Sequence, residues 1–247
     1  MIMRPTIHSI YASDCVDLRR WVPKNNDIIA KFIAIDIGRK DGKGSDIFSI
    51  LVTTPKGVQT LTPKNGILAS HPLVVVEKYD FAFLSRWLEN KVSSCEADSW
   101  LHCANQLNMY FGWEFDYLHS DCNNTHKFKP IIYSIYTNDH VSLRKWAPEN
   151  DDIVAKSINF DVGGKGKTER STFSILVATP RGLQTLTPKS GILASHPLVV
   201  MDRYNFNFLF QWLEETVSSC EADSWFQCVD RLKVYFNWES DCLRTGA

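Results

Sequence analysis

The stretch GILASHPLVV fills residues 66–75 and returns letter for letter at residues 191–200. The segment VSSCEADSW does the same at residues 92–100 and 217–225. After a shift of 125 positions, residues 5–117 lie over residues 130–242 without a gap, and about 60 % of the positions are identical. The chain therefore consists of two copies of one small domain. We place the first copy at residues 1–120, a polar linker at 121–129 and the second copy at 130–247.

In the first half of each copy, the apolar residues follow the period of β-strands. Ile33, Ile35 and Ile37 alternate with Ala34 and Asp36, which predicts a strand with one buried face. The β-rich run at 47–53, beyond a stretch of Gly, Lys and Asp, predicts its hairpin partner. The continuous Leu-Val-Val-Val run within residues 72–77 suits a strand that is buried on both faces.

The last third of each copy has the period of helices. Apolar residues stand at positions 81, 84, 87 and 88, and again at 100, 103, 104, 107 and 111, which predicts two amphipathic helices. Ser93 with Glu96, or Asp98 alone, are the candidate caps between them. Residues 113–117 suit a short closing strand. We expect the fold class α+β, in which each repeat has a mostly antiparallel sheet with two C-terminal amphipathic helices packed on one face.

The composition excludes several classes of protein. With 44 % hydrophobic and 22 % charged residues the chain is not disordered, and a net charge of −1 gives no basic arm for nucleic acid. No run approaches the length of a membrane span, and residues 1–5 lack the apolar run that is typical of a signal peptide. Seven cysteines without C-x-x-C spacing are typical of reduced thiols. We therefore expect a cytoplasmic protein that binds neither nucleic acid nor membrane.

Two motifs invite a chemical interpretation, and neither supports one. The Gly-rich stretch at 38–44 lacks the Walker pattern and is better explained as a hairpin loop. His71 follows Ser70, and His196 follows Ser195, but neighbours on an extended chain point to opposite faces and cannot pair as base and nucleophile. No second ligand stands at zinc spacing from a cysteine. We expect no catalytic residue, no cofactor and no metal.

Carboxylates gather near both ends of the last helix, and helix capping or solvation explains many of them. Their other interpretation is a patch that binds a protein partner. Two tryptophans, each between a basic residue and a loop proline, resemble interface anchors, although packing also explains them. The candidate partner-binding residues are Glu96, Asp98, Glu114, Asp116 and Trp21 in the first copy, and Glu221, Asp223, Glu239, Asp241 and Trp146 in the second.

Several short motifs of each copy resemble those of the immunity protein 8 family of bacterial polymorphic toxin systems. They are Leu18 to Pro23, Val52 to Pro55, Leu73 to Asp80, Cys95 to Trp100 and Trp113 to Phe115. The resemblance covers nearly all of both copies. It implies a small cytoplasmic protein that binds a cognate toxin domain and blocks it, without catalytic residues. The second copy departs from the pattern at Ser240, which replaces the apolar residue after Trp-Glu.

The resemblance and the lack of a chemical motif favour an immunity protein that neutralises its toxin sterically. One alternative is a tandem non-catalytic scaffold or sensor module that binds a repeated partner with avidity. Another is an unrecognised hydrolase, but no group of catalytic residues in the sequence supports it. Two linked copies with like apolar patches also predict an intramolecular pseudo-two-fold pairing.

Overall fold

The computed structural model describes residues 2–12, 17–40, 44–115, 128–164 and 170–239. They form two compact units. The first contains the described residues of Met1–Leu61, His71–Cys122 and Leu186–His196, and the second those of Thr62–Ser70, Asn123–Thr185 and Pro197–Ala247. Each unit therefore takes most of its residues from one repeat and a short segment from the other. The linker predicted at 121–129 lies outside the described residues as far as residue 127.

The elements repeat in the same order in the two halves of the chain. They are β1 (Pro5–Ala12), β2 (Ala30–Arg39), β3 (Ser45–Thr53), α1 (Pro55–Val58), β4 (Ile67–Ala69), β5 (Leu73–Val76), α2 (Phe81–Ser93), α3 (Trp100–Leu107), β6 (Gly112–Trp113), β7 (Pro130–Thr137), β8 (Ala155–Gly164), β9 (Arg170–Ala178), α4 (Pro180–Leu183), β10 (Ile192–Ser195), β11 (Leu198–Met201), α5 (Phe206–Ser219), α6 (Trp225–Leu232) and β12 (Asn237–Trp238). The predicted α+β class is confirmed.

Each unit contains one mixed sheet that is mostly antiparallel. In the first unit the strands follow the order β1-β2-β3-β5-β10, and the short β6 also pairs with β3. The β3–β5 pair is parallel and the other pairs are antiparallel. The second unit repeats this arrangement in the order β4-β11-β9-β8-β7, with β12 beside β9. The Gly-rich stretch lies between β2 and β3, and the pairing of Gly38 with Ser45 confirms the predicted hairpin.

Alternation along β2 determines which face of the first sheet is buried. Ile33, Ile35 and Ile37 are buried, whereas Ala34 and Asp36 are only half-buried. Every residue of β5 is buried, as expected for a strand covered on both faces. Burying each large aliphatic side chain contributes about 1.5–3 kcal/mol, so this sheet face supplies much of the driving force for folding.

The helices cover one face of each sheet through the predicted stripes. Leu84, Leu88 and Val92 of α2, and Ala104 and Leu107 of α3, belong to the first core. Helix α2 begins after Asp80, whose carboxylate accepts from the backbone N–H groups of the second and third helical residues at 2.8 and 3.2 Å. The N-cap of α3 is Ser99. The predicted caps, Asp98 or the pair Ser93 and Glu96, were therefore wrong, because the hydroxyl one residue later reaches the free N–H of the first turn.

Strands β4 and β10, which pair with strands of the other repeat, each follow a tight two-residue turn. Asn65 and Gly66 have φ angles of 49° and 74°, and Ser190 and Gly191 have φ angles of 50° and 79°. Positive φ at both central positions is the signature of a type I′ hairpin turn. The strand after each turn pairs with a strand of the other repeat: Ala69 of β4 lies opposite Val200, and Ala194 of β10 lies opposite Val75. Each sheet thus includes a strand contributed by the other half of the sequence.

No helix within the described ranges is long and apolar enough to cross a membrane.

Candidate partner-binding surface

A single carboxylate joins the beginning of α3 to β6 in the first unit. Oδ2 of Asp46 accepts hydrogen bonds from the indole N–H groups of Trp100 at 2.9 Å and of Trp113 at 3.0 Å. Trp100 is the first residue of α3 and Trp113 the last of β6. Residues that precede the first tryptophan and follow the second are therefore brought to the same end of the sheet.

Two of the predicted carboxylates precede Trp100. Ala97, which lies between them, exchanges backbone hydrogen bonds of 2.7 and 3.2 Å with Met3. This pairing brings Arg4 to Glu96, with 3.0 Å between Nε and Oε1. Asp98 lies 2.6 Å from Nδ1 of His102, and this hydrogen bond is the main reason why the pKa of Asp98 lies below its ordinary value. The Asp98 side chain is 78 % exposed, so its charge faces solvent.

Glu114 immediately follows Trp113 and is also exposed. Its Oε1 accepts from the backbone N–H of Ile47 at 2.6 Å, which fixes the side chain over the start of β3. Asp116 lies outside the described residues. We call Asp46, Glu96, Asp98 and Glu114 the first acidic end.

The equivalent carboxylates of the second repeat are Glu221, Asp223 and Glu239, and we call them the second acidic end. Asp223 and Glu239 are exposed, and Glu221 is half-buried. Ser171 occupies the position of Asp46, and Gln227 that of His102. Within the part of the chain that the structure describes, Asp223 consequently has no ion pair or hydrogen bond from its side chain. Asp241 is outside the described residues.

Both candidate anchor tryptophans lie against core tyrosines. Trp21 meets the ring of Tyr79 edge-on at 4.8 Å, and Trp146 meets Tyr204 at 5.1 Å. Lys31 Nζ lies 5.7 Å from the centre of the Trp21 ring. Both tryptophans are half-buried, so each leaves part of its surface open. A role in partner binding stays a prediction for this pair.

Sequence reasoning missed a pair of exposed apolar residues beside the acidic ends. Leu101 and Phe226 occupy equivalent positions of α3 and α6, and they are 48 % and 79 % exposed. Each follows the first tryptophan of its helix and lies off the buried stripe. That combination of helical position and residue type was readable from the sequence. A large exposed aromatic residue among carboxylates is the composition of a protein-binding surface.

His71 is a half-buried residue, and its surroundings are not those of a base poised for catalysis. Both of its ring nitrogens are shielded from solvent, and its ring lies edge-on to His196 at 5.4 Å. Burial lowers the pKa of His71 to about 4, and a hydrogen bond with the backbone of Asn108 opposes this shift only in part. The ring is therefore neutral at physiological pH.

Among the residues with described positions, no three His, Cys, Asp or Glu side chains are grouped so that they could hold a metal ion. Cys95, Cys103, Cys220 and Cys228 are buried free thiols. Burial raises the pKa of the Cys95 thiol to about 11, which makes it a poor nucleophile.

The sequence matches the family described as immunity protein 8 twice, over residues 6–117 and 131–242. The chain belongs to the immunity protein 8 family. The prediction of two tandem immunity protein 8 domains is confirmed, and the mixed sheet with following helices is the architecture of this domain in the present chain. Membership implies a toxin immunity protein, a class that is generally non-catalytic. No curated protein and no solved structure matches the chain.

Proposed function

We propose that this protein binds a cognate bacterial toxin domain in the cytoplasm and neutralises it by steric occlusion, without catalysis. The observation that carries the proposal is the immunity protein 8 match across nearly the whole of both repeats. An interface of about 800 Å² on each partner, with a few aromatic or charged anchors, is sufficient for a stable complex of this kind.

The acidic ends are the surfaces that we assign to toxin binding. Exposed carboxylates attract a basic partner and raise the rate of association, and a nearby exposed Leu101 or Phe226 supplies apolar area at the centre of the contact. A toxin that cleaves nucleic acid has a basic substrate groove, which these surfaces would fit. The proposed contact residues are Glu96, Asp98, Glu114, Glu221, Asp223 and Glu239, with Asp116 and Asp241 on sequence alone and Trp21 and Trp146 as further anchors.

Co-expression with a candidate toxin domain, taken from a gene that neighbours the gene of this protein, tests the proposal. We expect the full chain to restore growth and to elute with the toxin domain on gel filtration. Failure of both would contradict it.

A charge reversal tests the assignment of the surface separately. Asp98→Lys and Asp223→Lys change exposed residues at equivalent positions, and each is expected to weaken binding by about tenfold at low salt. Glu89→Lys on α2 is the matched control, since Glu89 is also exposed but belongs to neither acidic end. If the control weakened binding as much as the two variants, the acidic ends would not be the specific contact.

A tandem scaffold or sensor module is the second candidate. It is favoured by exposed apolar residues at equivalent positions of both repeats, such as Phe83 and Phe208, which are 44 % and 42 % exposed. Two like surfaces in one chain would bind a repeated partner with avidity. A bridged complex with two partner copies, without protection from any toxin, would favour this function.

A further inference from the structure

A groove in the second unit is lined by ten residues, four of which differ from the equivalent residues of the first repeat, and two of these four differences create a site for a ligand. It lies between β7 and α5, has a volume of about 440 Å³ and is lined by Tyr136, His140, Ser142, Arg144, Phe206 and Phe210 among others. This volume is within the range of small-molecule sites. All the lining residues belong to the second unit.

The first difference is that, among the described residues, the arginine of the groove, Arg144, lacks the carboxylate partner that its equivalent has in the first repeat. In the first repeat, Arg19 is bound by Asp17, with a side-chain distance of 3.3 Å. The equivalent residues of the second repeat are Arg144 and Ser142. Within the described ranges Arg144 makes no ion pair or hydrogen bond, so its guanidinium N–H donors are available to a ligand.

The second difference builds an aromatic platform under that arginine. Phe210 replaces Ser85 of the first repeat and stacks on Phe206, with ring centres 5.7 Å apart and planes 17° from parallel. The guanidinium carbon of Arg144 lies 5.7 Å from the centre of Phe206 and 5.2 Å from that of Phe210. A guanidinium held over aromatic faces keeps its planar edge free for two parallel hydrogen bonds to a carboxylate.

The other residues of the groove favour a ligand that has a ring and a single negative charge. His140 has a φ angle of 58°, rare for a residue other than glycine, and its ring stacks on Tyr136 at 5.7 Å. The Tyr136 hydroxyl donates a hydrogen bond to Oδ1 of Asp161 at 3.2 Å, so the tyrosine offers its ring face to the groove. The negative Asp161 also opposes a dianion, because Arg144 neutralises only one charge.

We infer that this groove binds a small aromatic monocarboxylate, with its carboxylate on Arg144 and its ring against the Phe206 and Phe210 platform. The first repeat lacks both the released arginine and the second phenylalanine, so one site is expected in each chain. Arg144, Phe206 and Phe210 are not among the residues assigned to toxin binding, so the inference does not rest on the proposed function.

Titration of the isotopically labelled full chain with 3-phenylpropionate, followed by NMR, tests the inference. A small ligand of this size is expected to bind with a dissociation constant on the order of 1 mM. The shifts should centre on β7 and the start of α5. The neutral 3-phenylpropionamide and the ringless propionate should each bind at least about tenfold more weakly, because each loses one of the two contacts.

Variants separate a specific site from adventitious association. Ser142→Asp restores the carboxylate of the first repeat, and Arg144→Gln removes the charge; both should weaken 3-phenylpropionate binding by about tenfold or more. Arg19→Gln, the matched change in the first repeat, should leave it unaltered. Equal binding of acid and amide, or unchanged binding in Ser142→Asp and Arg144→Gln chains whose spectra show an intact fold, would overturn the inference.

Discussion

Replacing Asp46 with alanine should separate the beginning of α3 from β6. The substitution removes the one carboxylate oxygen that accepts from both Trp100 and Trp113. Hydrogen bonds to a charged acceptor contribute about 1.5–3 kcal/mol each when buried, and Asp46 is half-buried, so the low end applies. We expect Asp46→Ala to lower the free energy of unfolding by about 2–3 kcal/mol. Asp46→Asn keeps an acceptor oxygen without its charge and should cost about 1 kcal/mol.

Urea denaturation followed by circular dichroism measures this change, and the indole N–H resonances of the two tryptophans report its location. Ser171→Ala is the matched control at the equivalent position of the second repeat, and it should change the free energy of unfolding by less than about 0.5 kcal/mol. The reasoning is refuted if Asp46→Ala lies within that margin of the wild type, or if Ser171→Ala costs as much.

Three further outcomes follow from the packing, the half-buried histidine and the strand pairing. Gly57→Ala would place a Cβ 1.7 Å from a backbone carbonyl oxygen, so we expect a loss of more than about 3 kcal/mol or failure to fold, measured by thermal unfolding. The pKa of His71 falls from 6.5 to about 4 on folding, so the unfolded chain binds more protons than the folded chain between these two pH values. The free energy of unfolding should therefore fall by up to about 3 kcal/mol as the pH drops from 6.5 to about 4. His71→Gln should remove most of this pH dependence in urea titrations. Cysteines at Val75 and Ala194 should form a disulfide detectable by peptide mapping, whereas cysteines at Val75 and Ala69 should not, and the opposite result would contradict the pairing of β5 with β10.

Most strands and helices follow from apolar periodicity alone. The alternation around Ile35 predicted β2, and the helical spacing from Phe81 onward predicted α2. Side-chain burial contributes most to the stability of both elements, and it depends on a pattern that is local in sequence. The N-cap of α3 was predicted wrongly because Asp98 and Ser99 are both good caps, and only the backbone conformation decides which one reaches the first turn.

The exchange of β4 and β10 could not be predicted from these residues. The Asn65-Gly66 pair is a strong hairpin signal, but it predicts only the turn. Residues 66–69 and 191–194 are identical, so β5 meets the same side chains whichever repeat supplies its partner. Pairing of β5 with β4 and pairing of β5 with β10 would bring the same residue types together and would differ only in how the chain connects the strands.

The candidate surface was predicted in part. Glu96, Asp98 and Glu114 do gather at one end, but Asp46, which brings their segments together, stands far away in sequence and belongs to a strand with no sign of a polar role. The placement of Asp46 depends on the packed structure rather than on local sequence. The exposure of Phe226, in contrast, follows from its position off the apolar stripe of α6.

Titration of a fixed amount of purified toxin domain with this protein decides whether neutralisation is stoichiometric binding. We predict that toxin activity falls linearly to a sharp end point at a whole-number ratio, and that dissociation of the complex in denaturant followed by refolding returns active toxin of unchanged mass. Complete inactivation by a small fraction of an equivalent, or a covalent change in the recovered toxin, would contradict a mechanism based on binding alone.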